Sequence, residues 1–282
     1  MIISTKHKIA GARFIYRILR GFGFAAEPGQ TVQIQRSGML WNLDLGEGID
    51  FSIYLFGAFE TSTVRALQCL VQPGDTVLDI GANIGAHTLH LARSVGPGGR
   101  VYAFEPTNYA FAKLRQNLAL NPTLLARVTP LQMLLVDRTG RPSDPEVYSS
   151  WPLEGMGDLH PQHLGKLQST SNAVAETLDH FIDAQGIRRV DLIKLDVDGH
   201  EYSVLKGGIG LIEKFKPAIV MELSPYVHSD EGSFEDLVAL LRESGYQAKR
   251  IDTRRSLALD AAYLQKVVPG GASINVVLYQ PT

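Results

Sequence analysis

From residue 76 onward the chain alternates short β-rich runs with helical stretches, the pattern of βαβ units in which crossover helices join parallel strands. Thr76–Ile80 reads as a strand that enters a glycine-bearing turn and then a helix from about Ile84 to Ser94, ended by Gly96-Pro97-Gly98-Gly99. Arg100–Phe104 is the second strand. A helix from about Asn108 to Leu120 stops before Asn121-Pro122, because proline disfavours helical geometry in the residue before it. Val128–Val136 is the third strand, and a helix over Leu178–Gln185, the strand Val190–Leu195, a helix near Glu201–Phe215 and the strand Ala218–Leu223 continue the alternation. Ser233 with Asp236 opens a further helix ending near Gly245, and Tyr246–Ile251 and Ser273–Tyr279 read as last strands joined by a segment of no clear period. The expected architecture is α/β, with a mostly parallel sheet and helices on both faces.

Two regions lie outside that pattern. Residues 138–176 are rich in Gly, Pro, Ser and His and read as an irregular insertion of loops and short β structure, a place for substrate specificity on a rigid scaffold. Residues 1–59 read as a helix and hairpin cap, with Thr31–Gln35 paired to Leu40–Leu45, on a main domain of residues 60–282; a helix opens from Phe59 onward. Residues 8–22 suit a basic amphipathic helix with Ile15, Ile18, Leu19 and Phe22 on one side. Packing on the core is the expected use of such a stripe, and weak contact with an anionic membrane or a partner is the other.

The balance of charge limits the partners. A net charge of −2 supplies no field for a phosphate backbone, so nucleic acid is not expected. No apolar run is long enough to span a bilayer, the N-terminal basic residues break any signal-peptide pattern, and the single cysteine, Cys69, suits a reducing cytoplasm.

The strongest local feature is Val77-Leu78-Asp79-Ile80-Gly81-Ala82-Asn83-Ile84-Gly85, a strand running into a loop where glycines let the main chain approach a ligand. A dinucleotide site would place pyrophosphate on the helix N-terminus and carry three glycines; here Asn83 replaces one, and Asp79 adds a carboxylate. A carboxylate repels pyrophosphate and attracts a cation, and S-adenosylmethionine carries an ammonium and a sulfonium. Glu105, 26 positions after Asp79 at the next strand end, fits an acid that binds ribose hydroxyls. Taken singly, Asp79 could cap a turn and Glu105 could be a surface acid before Pro106.

Over most of residues 60–225 the sequence resembles the FkbM family of class I methyltransferases: VLDIGANIG at 77–85, VYAFEP at 101–106, LRQNLALN at 114–121, TLD at 177–179, IKLDVDGHE at 193–201, VLKG at 204–207 and AIVME at 218–222. Asp198 stands where the family usually has Glu. The resemblance implies a Rossmann-like fold with a seven-stranded sheet and methyl transfer from S-adenosylmethionine, commonly to a hydroxyl of a sugar or polyketide-like small molecule. It also implies cofactor contacts from Glu60, Asp79, Gly81, Asn83, Gly85, Glu105, Pro106 and Asp137. Glu60 reads equally as a helix-dipole partner.

Methyl transfer to an alcohol needs an aligned acceptor and a group to take its proton. Asp196 is the first candidate, with Lys194, His200 and Glu222 as further catalytic candidates. Asp198 and Glu201 have the spacing of a capping box and so can simply start the next helix, and His200 can be a solvated turn residue. Asp196, Glu222 and His228 could also hold Mg²⁺, a minority reading. The competing functions are an NAD-type nucleotide-dependent oxidoreductase and a non-catalytic cofactor-binding module.

Overall fold

The computed structural model describes residues 5–22, 29–140, 145–149, 151–153, 165–226 and 232–281. The chain begins with helix α1 (Thr5–Gly21), the hairpin β1 (Thr31–Arg36) and β2 (Met39–Asp44), and helices α2 (Gly48–Phe56) and α3 (Thr61–Leu70). It continues through β3 (Thr76–Ile80), α4 (Thr88–Ser94), β4 (Arg100–Phe104), α5 (Asn108–Ala119), α6 (Pro122–Leu125), β5 (Val128–Leu131) and β6 (Met133–Leu135). The insertion carries β7 (Glu146–Ser149), β8 (Lys166–Ser169) and β9 (Val174–Glu176). Then come α7 (Leu178–Ala184), β10 (Leu192–Leu195), α8 (Glu201–Lys206), α9 (Ile209–Phe215) and β11 (Ala218–Leu223). The last elements are α10 (Phe234–Glu243), β12 (Gln247–Arg250), β13 (Ser256–Leu257), α11 (Ala261–Val267) and β14 (Ile274–Tyr279).

The main sheet has the order β13-β12-β14-β11-β10-β3-β4-β5, parallel from β11 to β5 and antiparallel where β14 enters between β11 and β12. This is the expected Rossmann-like α/β architecture. It has eight strands rather than seven because the two-residue β13 pairs onto the edge of β12. Central strands are buried on both faces: in β10 all four residues are buried, and in β3 only Thr76 is not.

Three expected elements differ from their reading: one starts later and two divide. The helix drawn from Ile84 starts at Thr88, since Gly85 has φ 93°, outside helical space. The strand drawn over Val128–Val136 leaves the sheet after Leu131; β5 is an edge strand, where Pro130 is tolerated, and β6 pairs instead with β9. The helix drawn over Glu201–Phe215 breaks at Gly207-Gly208, where a Cβ on Gly207 would lie 2.1 Å from the Val136 carbonyl oxygen. The capping box at Ser233 and Asp236 forms as expected.

Two apolar cores cover the faces of the sheet, and the N-terminal region builds one of them: Tyr16, Trp41, Leu43 and Phe51 share a cluster with Val77, Leu89, Val101 and Leu114. The asparagines of the 114–121 motif fasten it there. Asn117 Oδ1 accepts from Asn42 N at 2.8 Å, Asn121 Oδ1 from Leu40 N at 3.0 Å, and Asn117 Nδ2 donates to Ile84 O at 2.9 Å, tying hairpin and glycine loop to one helix. The stripe drawn on residues 8–22 divides: Leu19 packs against the core as expected, with Ile9 and Tyr16 buried beside it, whereas Ile15, Ile18 and Phe22 are exposed. Among the described residues no helix is long and apolar enough to cross a membrane.

The insertion returns to this cap. Gly48 N donates to Trp151 O at 2.8 Å, Leu153 N to Gly46 O at 2.7 Å, and Arg13 Nη2 to Pro152 O at 3.1 Å, so residues 151–153 form a strap over the cap. Beside it lies a buried charge group in which Asp50 pairs with Lys113 and accepts from Asp44 N. Burial, then repulsion from Asp50, raises the Glu47 carboxyl from 4.5 to about 7. A raised carboxyl contributes stability that is complete below its unfolded value and is lost as pH rises through the folded value. Stability should therefore fall between about pH 4.5 and 7. Glu47→Gln should make that decline shallower by the Glu47 share and exceed wild type at pH 8 by on the order of 3 kcal/mol. Urea denaturation of both proteins at pH 5 and pH 8 checks this; parallel pH profiles would refute it.

Candidate functional site

The strand order turns about between β3 and β10, the point where open α/β sheets bind ligands. A cleft opens at their carboxyl ends. Of the residues singled out from sequence, Gly81, Asn83, Glu105, Pro106, Lys194, Asp196, Asp198 and His200 line it. Asp79, Gly85, Glu60, Asp137 and Glu222 are not among the lining residues.

The glycine loop is shaped by close approach. Gly81 has φ 75°, and a Cβ there would stand 1.8 Å from Asp196 O; one on Gly85 would meet Leu114 Cδ1 at 3.0 Å. Asn83 holds the left-handed conformation at φ 49°, which asparagine tolerates. Every amide of the loop is already engaged. Gly81 N and Ala82 N donate to Phe104 O, Asn83 N to Glu105 Oε2, Ile84 N to Asn83 Oδ1 and Gly85 N to Ala82 O, all at 2.9–3.0 Å. The loop thus offers no set of free N–H groups for a pyrophosphate, which is how a dinucleotide site works.

Glu105 is buried at 3% exposure, and its other oxygen accepts from Thr107 N at 2.9 Å and from Thr107 Oγ1. Thr107 also caps α5, so the acid after β4 is held rigidly at the rim of the cleft.

Asp79 does not face the cleft, as the charge argument from sequence supposed. It is fully buried, accepts from Thr88 Oγ1 at 2.6 Å, and has its other oxygen 3.6 Å from Lys194 Nζ. The two residues sit opposite each other in the β3–β10 register. Lys194 also donates to Gly81 O at 2.8 Å and lies 3.8 Å from Asp196. Burial pulls its ammonium down, but Asp196, Asp79, Glu60 and Glu105 outweigh that and leave it raised. Lys194 is therefore a charged strut at neutral pH, unsuited to accept a proton. Among the described residues the acids that line the cleft beside Lys194 are Glu105, Asp196 and Asp198, and Asp79 is not one of them.

Beyond β10, Asp198 takes φ 49° and lines the cleft, while Glu201 Oε1 accepts from Val197 N and Gly199 N, each at 3.3 Å. The helix-starting reading holds for Glu201 only, since the N-cap position is His200. Burial, with Asp196 and Glu201 nearby, raises Asp198 to about 8. Glu222 is raised well above the ordinary carboxyl range by burial, then by Asp196 and Glu60, and accepts from Ser273 Oγ. Glu60 starts α3 at φ 48° and accepts from Thr63 Oγ1 at 3.0 Å and Asn275 Nδ2 at 2.9 Å. Asp137 pairs with Lys206 at 3.6 Å. Among the described residues no three His, Cys, Asp or Glu side chains are grouped to hold a metal ion; His228 lies outside them.

Several lining residues escaped the sequence reading. Ile49 and Phe59 come from the cap, and Val147, Ser149 and Trp151 from the insertion, with Ser149 Oγ accepting from Asn83 Nδ2 at 3.3 Å. His87 is also there, buried, with neither ring nitrogen hydrogen-bonded, and burial, then Lys194 and His90, keeps it neutral. Only its place just past the glycine loop could have marked it.

The model of the methyltransferase FkbM domain matches residues 79–248. Methyltransferase sdnD of Sordaria araneosa is 29% identical over 202 residues, 62% of this chain and 74% of that protein. The 31-O-demethyl-FK506 methyltransferase FkbM of Streptomyces tacrolimicus is 29% identical over 200 residues, with the same coverage of each chain. The 2-O-methyltransferase NoeI of Sinorhizobium fredii is 29% identical over 154 residues, 51% of this chain and 61% of that one. The matched span contains the end of β3 from Asp79, the glycine loop, Glu105 and the carboxylates after β10, and on that evidence the chain belongs to the FkbM methyltransferase family.

Proposed function

We propose that this chain transfers a methyl group from S-adenosylmethionine to a hydroxyl of a small molecule, a sugar or a polyketide-like natural product. The observation that carries the reading is the glycine loop whose amides are all engaged, set in a cleft that Glu105, Asp196 and Asp198 line beside Lys194. Such a site has no seat for a diphosphate and suits a cationic guest. Relatives described as a 2-O-methyltransferase and a 31-O-demethyl-FK506 methyltransferase support a hydroxyl acceptor.

The residues present fit the donor. Glu105 would bind its ribose hydroxyls, and Gly81 and Asn83 would let the main chain lie close to it. Bound there, it supplies a methyl group activated by a positively charged sulfur. Asp196, one-third exposed at the end of β10, would take the proton of the acceptor hydroxyl onto its carboxylate as the acceptor oxygen bonds the methyl carbon and the methyl–sulfur bond breaks, leaving a neutral thioether. Lys194 holds that carboxylate and the Gly81 carbonyl in place. His200 lines the same side and is the second candidate for the proton. Glu60 and Glu222 act at a remove, through the field on Lys194 and through the Ser273 and Asn275 contacts. A cytoplasmic setting accords with the single exposed cysteine.

Isothermal calorimetry tests the cofactor. Heat is expected with S-adenosylmethionine and with S-adenosylhomocysteine and none with NAD; the reverse pattern would end the reading. A screen of glycosides and hydroxylated polyketides with radiolabelled methyl donor then identifies the acceptor. Donor binding with no label transferred to any hydroxyl compound would favour a non-catalytic module.

A further inference from the structure

Helix α1 has two faces, and the fold uses one. Ile9 and Tyr16 are buried, Tyr16 meets Phe51 edge-on at 5.5 Å between ring centroids, and Arg13 holds the strap at Pro152. At helical spacing Phe14, Ile18, Phe22 and Ile15 fall within an arc of roughly 100° on the other side. They are 66%, 42%, 74% and 42% exposed. Two phenylalanines and two isoleucines side by side in water mark a surface that something else covers.

Charge points to what covers it. Residues 1–26 hold Lys6, Lys8, Arg13, Arg17 and Arg20 and no acidic residue, whereas the rest of the chain holds 22 basic against 29 acidic side chains. Pairing two α1 helices would bring two such basic sets together, which is unfavourable. A convex apolar ridge also needs a matching groove in a protein partner, but an interfacial lipid layer accepts any ridge. An apolar arc on a basic segment without acids is the pattern of a helix lying in an anionic membrane interface. We propose that α1 seats this chain on an anionic membrane surface, with Phe14, Ile15, Ile18 and Phe22 entering the headgroup–acyl boundary and Arg17 among the positive charges that meet the phosphates. This docking is independent of the methyl-transfer reading.

The test is co-sedimentation of the full chain with vesicles of equimolar phosphatidylglycerol and phosphatidylcholine, against vesicles of phosphatidylcholine alone. Binding should be at least about tenfold stronger on the anionic vesicles and should weaken as salt is added. Phe14→Ser with Phe22→Ser should weaken it about tenfold, and Arg17→Glu should also weaken it. Both positions are exposed, so the variants should keep the wild-type thermal midpoint, read by circular dichroism. Equal binding to both vesicles, no binding, or unchanged binding by the double variant would overturn the proposal. So would a wild-type dimer that the double variant converts to monomer in sedimentation velocity, since α1 would then be covered by a second copy.

Discussion

Lys194→Met is expected to lower folding stability by about 3–5 kcal/mol, the cost of leaving a buried charge without its partner. Asp79 has no exposure to solvent, and its nearest cation is Lys194 Nζ at 3.6 Å. The same ammonium serves Gly81 O and moderates Asp196, Glu60 and Glu105, so methionine, similar in length and apolar, removes the charge and the donors while keeping much of the volume. The loss would be a large part of a stability of roughly 5–15 kcal/mol. Adding Asp79→Asn should restore part of it, because the orphaned carboxylate is then gone. Urea denaturation of wild type, both single variants and the double variant gives the coupling directly. A loss under about 1 kcal/mol for Lys194→Met, or simple addition of the two losses, would mean that the pair is not the strut inferred here.

The second large effect is catalytic. Asp196→Asn keeps the shape of the side chain but removes its capacity to accept a proton, so kcat on an identified acceptor should fall about 10²–10⁴-fold. The affinity for S-adenosylmethionine should change far less, because Glu105 and the loop are untouched. Glu222→Gln is the control. Burial and its acidic neighbours raise that carboxyl well above the ordinary range, and glutamine keeps its shape without the charge those neighbours oppose. Its kcat should stay within about tenfold of wild type, as expected for a group with no role in proton transfer. Unchanged turnover in Asp196→Asn would move the role of base to His200.

Much of this protein was legible because its signals are local. The bounds of β3 and β11 match their reading to the residue, since a short, mostly apolar run between turn residues has few alternatives. The Ser233–Asp236 box depends on groups three positions apart, and Glu105 with Pro106 sits where strand and motif spacing put it. Glycine was read less well: Gly85 delayed α4, and Gly207-Gly208 divided a helix, because what they approach, Leu114 and the Val136 carbonyl, lies elsewhere in the chain.

The electrostatics show the same division more sharply. Residue order alone specified a strand ending in Asp79, another bearing Lys194 and Asp196, and an α/β sheet that would hold them, since hydrophobic period and turn chemistry act over a few residues. Strand pairing then set Lys194 against Asp79, so that the acid foreseen as the seat for a cation became its internal counter-charge. Folding likewise brought Trp151 onto Gly48 and turned Ile15, Ile18 and Phe22 toward solvent. Coulomb energies and burial depend on distances between groups a hundred residues apart, and those distances exist only once the sheet has formed.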